Sequence, residues 1–84
     1  MAKVVVYSKV PCPYCVHAKR FLTEKGVAFE EIDLTGKPDE IQAIKEKTGW
    51  MTVPIILIND QLIGGYNDLK DLDAEGKLDQ LLNT

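Results

Sequence analysis

The chain has little cysteine, histidine or tryptophan and lacks a long hydrophobic run. Its 84 residues include two cysteines, one histidine and one tryptophan. A structural zinc site takes about four protein ligands, whereas Cys12, Cys15 and His17 are the candidates of the usual N/S type here. The longest apolar runs, 4–7 and 53–58, are far shorter than the roughly 20 residues of a membrane-spanning helix. These absences disfavour a structural zinc site and a helical membrane protein.

An excess of positive charge is also absent, because the net charge is −3. This balance argues against a general nucleic-acid binder. Residues 1–25 carry a balance of +4 and residues 26–84 a balance of −7. Both cysteines lie in the basic part, and basic neighbours favour the thiolate form of a cysteine. The first residues show no signal-peptide pattern, so we expect a reducing, cytoplasmic setting.

The spacing of apolar residues and chain breakers predicts one domain over residues 1–84, with the element order βαβαββα. We predict strands over 3–8, 27–34, 55–58 and 62–63, a helix from Pro13 to Lys25, a second from the 36–40 segment to Gly49, and one or two final helices from Asn67, interrupted at Gly76. A strand–helix–strand unit makes its two strands parallel, with a right-handed crossover. The expected class is α/β, with a small mixed four-stranded sheet flanked by helices.

The segment Cys12-Pro13-Tyr14-Cys15 lies between the first predicted strand and the first predicted helix. Pro13 suits the first helical position, which places Cys12 at the N-cap, where free N–H groups and the helix dipole lower a thiol pKa. Cys15 follows one turn later on the same face, so it can close a disulfide with Cys12 and should lie deeper. A structural disulfide across so short a loop restricts the unfolded chain little. His17 is expected on the helix surface. A Cys-x-x-Cys pair in this position is typical of a thioredoxin-like redox domain.

Three motifs together resemble the glutaredoxin family, and the resemblance covers essentially the whole chain. Cys12-Pro13-Tyr14-Cys15 is similar to its active-site tetrad, and Thr52-Val53-Pro54 to its cis-proline segment. The segment 64–69, Gly-Gly-Tyr-Asn-Asp-Leu, resembles its glycine pair followed by an acid-capped helix. The resemblance implies a thioredoxin-like fold and a glutathione-dependent disulfide oxidoreductase that serves cell redox homeostasis. Cys12 would be the nucleophile and Cys15 the resolving thiol.

The resemblance also implies a glutathione site. The backbone of Val53, ahead of a cis Pro54, would pair with the cysteinyl backbone of glutathione, and Thr52 belongs to the same segment. Gly65 would leave room for a close approach of the ligand. Without the resemblance, the sequence favours a trans proline at a strand start for Pro54 and a simple hairpin exit for the glycine pair.

The remaining implied contacts lie at the ends of the glutathione molecule. Asn67 and Asp68 match the positions that hold its γ-glutamyl end, although ordinary N-capping explains the same residues. Lys9 and Tyr14 match residues that flank the groove. Two departures from the family pattern are Trp50-Met51, where many glutaredoxins have a basic or polar residue, and Tyr66, where many have a cysteine.

Two other functions remain open at this point. One is a redoxin that is recharged by thioredoxin reductase and donates electrons to ribonucleotide reductase, against which Tyr14 and Asp68 argue. The other is a carrier of a [2Fe–2S] cluster held by Cys12 and glutathione between two chains, against which Pro13 argues. The favoured expectation is a monomer that uses glutathione as co-substrate and binds no metal. Its partners would be glutathionylated or disulfide-containing proteins, with no nucleic acid or membrane.

Overall fold

A computed structural model describes residues 3–10 and 12–82, which form four strands and four helices. The strands are β1 (Val4–Ser8), β2 (Glu30–Asp33), β3 (Ile55–Ile58) and β4 (Gln61–Gly64), and the helices are α1 (Pro13–Glu24), α2 (Pro38–Thr48), α3 (Tyr66–Ala74) and α4 (Lys77–Leu82). The strands form one sheet in the order β2-β1-β3-β4. Residues 1, 2, 11, 83 and 84, which fall within the predicted domain, lie outside the described residues.

The sheet is mixed. β1 pairs with β2 in parallel, and α1 makes the connection between them. β1 pairs with β3, and β3 with β4, in antiparallel fashion. This arrangement confirms the predicted α/β class with a small mixed sheet flanked by helices.

The two central strands are buried on both faces, which explains their continuous apolar sequences. Val4 and Val6 of β1 face one layer, where they pack with buried residues of α1, α3 and α4, including Leu22. The opposite face carries Ile55 of β3, which packs with Leu34 and with Ile44 of α2. The alternating direction of side chains along each strand therefore supplies two apolar clusters, one on each side of the sheet.

The predicted second strand, 27–34, is longer than the observed β2. Its pairing with β1 begins at Glu30, opposite Val5. The N–H of Val27 instead donates to the carbonyl of Leu22 at the end of α1, at 3.0 Å. The backbone at Val27 therefore caps the end of α1 and does not join the sheet, although Val27 and Phe29 still pack against the core.

The hairpin and the final helices follow the prediction closely. Asn59 and Asp60 form the turn with φ values of 52° and 65°, a region that these two residue types tolerate better than most. β4 extends from Gln61 to Gly64, so it is longer than the predicted 62–63 segment. Two helices follow it, α3 and α4, with Gly76 between them. None of the described helices is long and apolar enough to cross a membrane.

Candidate active site

The sheet brings the three motifs to one edge. Tyr7, near the end of β1, pairs with Ile55 at the start of β3. Ile56 in turn pairs with Gly64 at the end of β4. The segments that follow β1, precede β3 and follow β4 are therefore neighbours, and they carry the cysteines, Val53-Pro54 and Gly65 respectively.

Cys12 is the N-cap residue of α1, as predicted. Its backbone is extended, with φ −153° and ψ 98°, and Pro13 occupies the first helical position. The sulfur accepts a hydrogen bond from the N–H of Cys15 at 3.1 Å. Free N–H groups and the positive end of the helix dipole therefore face the position where a thiolate forms on reduction. A helix N-terminus of this kind stabilises a cysteine thiolate.

Cys15 lies one turn deeper in the same helix. It is 2% exposed, whereas Cys12 is only partly buried. Cys12 and Cys15 form a disulfide, with their Cα atoms 5.2 Å apart. Cys12 is therefore the more accessible sulfur of the pair.

A groove of about 370 Å³ begins beside Cys12. Its lining combines parts of the three motifs with Trp50 and Tyr66, and it consists of Tyr14, Trp50, Thr52, Val53, Pro54, Gly65, Tyr66, Asn67 and Asp68. The Sγ atom of Cys12 lies 3.8 Å from the carbonyl oxygen of Val53, so the sulfur adjoins the groove wall. The peptide bond between Val53 and Pro54 is cis, which confirms that expectation.

Asp68 is fixed by the backbone at the start of α3. Its Oδ2 atom accepts a hydrogen bond from the N–H of Gly65 at 3.0 Å. A Cβ atom added to Gly64, where φ is +118°, would lie 2.8 Å from the same Oδ2. A Cβ at Gly65 would meet nothing closer than 3.8 Å. Gly64, rather than Gly65, is therefore the glycine that the protein's own packing requires, and Gly65 borders the open groove.

Aromatic rings form one wall of the groove. Tyr14, which is 56% exposed, and Tyr66 have ring centroids 6.4 Å apart. His17 lies on the exposed face of α1, as predicted, and its ring is 5.6 Å from that of Tyr66. The ammonium group of Lys70 lies 5.2 Å from the Tyr66 centroid. The wall therefore offers flat apolar surface next to the cysteines.

The segment that leads from β1 to Cys12 is tied to the segment after β2. The N–H of Val10 donates to Oγ1 of Thr35 at 2.9 Å, and this hydroxyl donates to Asp33 at 2.5 Å. The hydroxyl and the backbone N–H of Thr35 both donate to the Asp33 carboxylate and hold its pKa below the ordinary value. Thr35 thereby restrains the backbone two residues before Cys12. Nothing in the sequence marks Thr35 for this role.

The basic character of the first 25 residues is partly neutralised in the fold. Lys19 pairs with Glu31 at 2.6 Å, and Lys25 pairs with Asp73 at 2.5 Å. Both carboxylates come from the acidic remainder of the chain. These two lysines therefore add little to the expected stabilisation of the Cys12 thiolate by basic neighbours. The N-terminus of α1 is the main stabilising feature.

Seven of the eight predicted glutathione-binding residues line the groove: Tyr14, Thr52, Val53, Pro54, Gly65, Asn67 and Asp68. Lys9 is exposed and does not line it, so its contact stays a prediction. Trp50 and Tyr66 also line it, although the sequence marked them only as departures from a pattern. Their positions, two residues before Thr52 and directly after Gly65, are the signal that would have identified them. Among residues 3–10 and 12–82, no cluster of three or more His, Cys, Asp or Glu side chains is arranged to hold a metal.

Comparisons with known proteins agree with this geometry. The glutaredoxin family model matches residues 4–63. A glutaredoxin of Pseudomonas aeruginosa is 46% identical over 83 residues, covering 99% of both chains. Glutaredoxin 3 of Escherichia coli K12 is 46% identical over 82 residues, covering 98% of this chain and 99% of its own.

Among solved structures, a buckwheat glutaredoxin–glutathione complex superposes with a TM-score of 0.89 at 29% identity, covering 98% of this chain and 77% of that one. Glutaredoxin 1 of Francisella tularensis, solved with cacodylate, superposes with a TM-score of 0.77 at 31% identity over the whole of both chains. With Cys12 and Cys15 as its redox-active pair, the chain belongs to the glutaredoxin family of thiol–disulfide oxidoreductases.

Proposed function

We propose that the protein is a glutathione-dependent oxidoreductase that reduces glutathione mixed disulfides and protein disulfides. The observation that carries the proposal is the groove beside Cys12, whose lining includes Asp68 and the first residues of α3. Its glutathione-binding residues would be Lys9, Tyr14, Thr52, Val53, Pro54, Gly65, Asn67 and Asp68. Glutathione is the co-substrate, and no metal takes part.

The chemistry of glutathione fits this groove. Its γ-glutamyl end carries an ammonium and a carboxylate, which need partners of opposite charge. The Asp68 carboxylate suits the ammonium, and the free N–H groups at the start of α3 suit the carboxylate. Val53, whose carbonyl oxygen lies 3.8 Å from the Cys12 sulfur, would hold the cysteinyl part of the ligand beside that sulfur. The buckwheat relative, which was solved as a complex with glutathione, supports glutathione as the ligand.

The reaction proceeds by two thiol–disulfide exchanges. The Cys12 thiolate attacks the glutathionyl sulfur of a mixed disulfide, a Cys12–glutathione disulfide forms, and the substrate thiolate leaves. A second glutathione thiolate then attacks the glutathionyl sulfur, which releases oxidised glutathione and restores the Cys12 thiolate. On an intramolecular protein disulfide, Cys12 first forms a mixed disulfide with the protein, and Cys15 displaces the reduced protein. Two glutathione molecules then reduce the Cys12–Cys15 disulfide.

The setting follows from this chemistry. Because a free thiol at Cys12 needs a reducing compartment, we place the protein in the cytoplasm. We further propose that it acts as a monomer. Its partners are glutathionylated and disulfide-containing proteins. The net charge of −3 gives no general attraction to nucleic acid.

Substitution of each cysteine tests the division of labour. Cys12→Ser should abolish activity on both substrate types, because a serine hydroxyl stays protonated and attacks sulfur poorly. Cys15→Ser should keep most of the activity on a glutathione mixed disulfide, where a second glutathione resolves the intermediate. The same variant should lose activity on protein disulfides, because tethered Cys15 acts at an effective concentration that free glutathione does not match.

The assay compares glutathione with its reductase against thioredoxin reductase as the source of electrons, for wild type and both variants. Turnover with thioredoxin reductase alone would refute glutathione dependence. Loss of mixed-disulfide activity in Cys15→Ser would refute the one-cysteine route and indicate an obligate dithiol donor.

A further inference from the structure

The segment between β1 and the reactive cysteine has little side-chain packing to hold it. At the end of β1, the carbonyl oxygen of Ser8 accepts a hydrogen bond from the N–H of Leu34 at 2.8 Å. The next two residues, Lys9 and Val10, are exposed, and Val10 has 63% of its surface open to solvent. Neither belongs to the two apolar clusters of the core. The position of this segment therefore depends on hydrogen bonds of its backbone.

Thr35 supplies such a hydrogen bond from a side chain. Its Oγ1 atom accepts from the N–H of Val10 at 2.9 Å. The pairing of β1 with β2 ends one step earlier, at Ser8 and Asp33. The hydroxyl of Thr35 therefore extends the connection between the two strands beyond their last paired residues and towards Cys12.

The hydroxyl of Thr35 is oriented as an acceptor. It donates its own proton to Oδ1 of Asp33 at 2.5 Å, and the N–H of Thr35 donates to the same oxygen at 2.9 Å. Because the single hydroxyl proton is directed to a carboxylate, the lone pairs of Oγ1 are free to accept from Val10. These two bonds from Thr35 lower the pKa of Asp33, so the carboxylate is charged at neutral pH and polarises the hydroxyl.

Reduction changes what holds Cys12 in place. In the disulfide form its side chain is joined covalently to Cys15, which is buried in α1. Reduction breaks this bond and leaves the Cys12 sulfur with the hydrogen bond from the N–H of Cys15. The helix dipole stabilises a thiolate only near the first turn, so the gain depends on where the backbone holds Cys12. On the N-terminal side, that backbone is the segment that Thr35 ties.

We propose that Thr35 is a positioning residue that keeps the Cys12 thiolate at the N-terminus of α1 after reduction. Thr35 lies outside the groove lining and acts through the backbone of Val10. Its loss should disfavour the dithiol form more than the disulfide form, because the disulfide holds Cys12 independently. The inference rests on the nucleophilic role of Cys12 in the proposed function and adds a residue that sets its reactivity.

The first test measures the reactivity of Cys12. Thr35→Val removes the hydroxyl and keeps the branched shape, whereas Thr35→Ser keeps the hydroxyl. The reduced protein is treated with iodoacetamide over a range of pH, and mass spectrometry follows Cys12, whose thiolate displaces iodide and forms a thioether. Loss of part of the helix-dipole interaction should move the midpoint of this profile up by about 0.5 pH unit in Thr35→Val. Thr35→Ser should keep the wild-type midpoint.

The second test measures the redox equilibrium of the protein. In this reaction the Cys12–Cys15 disulfide and two glutathione molecules form the dithiol and one molecule of oxidised glutathione. At a pH above both alkylation midpoints, the equilibrium constant for reduction should fall about threefold in Thr35→Val, which is the same change expressed as a ratio. Thr35→Ser should again match the wild type.

Thr48→Val is the matched control. The hydroxyl of Thr48 also accepts a backbone N–H, that of Trp50 at 3.2 Å, and donates to the carbonyl oxygen of Ile44 at 2.8 Å. Thr48 belongs to α2, which packs on the face of the sheet opposite α1. Thr48→Val should therefore lower the urea midpoint of unfolding, as any lost hydrogen bond does, and leave the alkylation midpoint and the redox equilibrium unchanged.

The outcomes separate this inference from the function on which it rests. If Cys12 of the wild type is alkylated no faster than Cys15, its nucleophilic role is wrong, and the inference falls with it. If Cys12 reacts first and Thr35→Val keeps the wild-type midpoint and equilibrium constant, the inference alone is overturned. Equal shifts in Thr35→Ser and Thr35→Val would overturn it, because the hydroxyl would then have no part in the effect. A shift of the same size in Thr48→Val would also overturn it and indicate a general loss of stability.

Discussion

Replacing Gly64 with alanine tests whether packing at this glycine holds Asp68 in position. The added Cβ would lie 2.8 Å from Oδ2 and 2.9 Å from Cγ of Asp68. Asp68 is short and its Oδ2 is bound to the Gly65 N–H, so it must rotate away and lose that hydrogen bond. For a partly exposed carboxylate this loss costs about 1–2 kcal/mol of the free energy of unfolding. Alanine at a φ of +118° adds strain of about 1–3 kcal/mol.

Gly76→Ala separates the two contributions. Gly76 has a φ of +75°, and a Cβ there would meet nothing within 4 Å, so only the backbone cost of about 1–2 kcal/mol applies. Gly64→Ala should therefore destabilise the protein by about 2 kcal/mol more than Gly76→Ala. In urea, where unfolding of a small protein has a slope of about 1 kcal/mol per molar, the two midpoints should differ by about 2 M.

A double-mutant cycle identifies the partner. In an Asp68→Ala background the clash with the carboxylate is gone, although Cβ of residue 68 would still lie 3.2 Å from the new Cβ. The cost of Gly64→Ala should then fall towards that of Gly76→Ala. Equal costs for Gly64→Ala and Gly76→Ala in the wild-type background would refute the reasoning, because Asp68 would then move at no cost.

Two further predictions concern single carboxylates. Asp68→Asn keeps an oxygen acceptor for the Gly65 N–H but removes the charge. KM for a glutathionyl substrate should therefore rise about fivefold with kcat nearly unchanged, as expected for loss of a ground-state ion pair. Steady-state kinetics that show a fall in kcat at constant KM would contradict this. Lys19 and Ser8 both donate to Glu31 and lower its pKa below the ordinary value of 4.5. The folded state therefore favours the ionised carboxylate, which stabilises the protein above pH 4.5. This stabilisation is lost as the pH falls through the folded pKa. Urea unfolding of Glu31→Gln and wild type should therefore show a difference in stability at pH 7 that disappears as the pH falls below 4.5 and through the folded pKa, whereas a constant difference would show that ionisation of Glu31 contributes nothing.

Local signals in the sequence predicted most elements of the fold. Pro13 and Pro38 mark the first positions of α1 and α2, and Gly49 ends α2, because proline and glycine restrict or permit specific backbone angles. The length of β2 was overestimated, because an apolar residue such as Phe29 packs in the core without joining the hydrogen-bond ladder of the sheet. The pattern of apolar residues indicates which side chains are buried, whereas the pairing of strands has to be inferred separately.

Contacts between distant residues lay beyond such signals. The hydrogen bond from the Val10 N–H to Thr35 and the pairing of Lys19 with Glu31 each depend on the register of β2 against β1. No periodic pattern in the sequence indicates which partner Thr35, Lys19 or Glu31 will contact. The same holds for Trp50, whose packing leaves its buried N–H without a hydrogen-bond partner in the described part of the chain.

The location of the groove follows from strand direction more than from any single motif. The hairpin of β3 and β4 is predictable from its two-residue turn, and it places the residues after Gly64 beside those before Ile55. The antiparallel pairing of β1 with β3 is not predictable locally, because 46 residues separate the two strands. Yet this pairing alone brings Cys12 to Val53, within 3.8 Å of its carbonyl oxygen. If β3 ran parallel to β1, the segment before β3 would lie at the opposite edge, and the cysteines would face no groove. The three motifs can therefore serve one ligand only in this topology, which is why the resemblance of all three, taken together, carried information that each motif lacked alone.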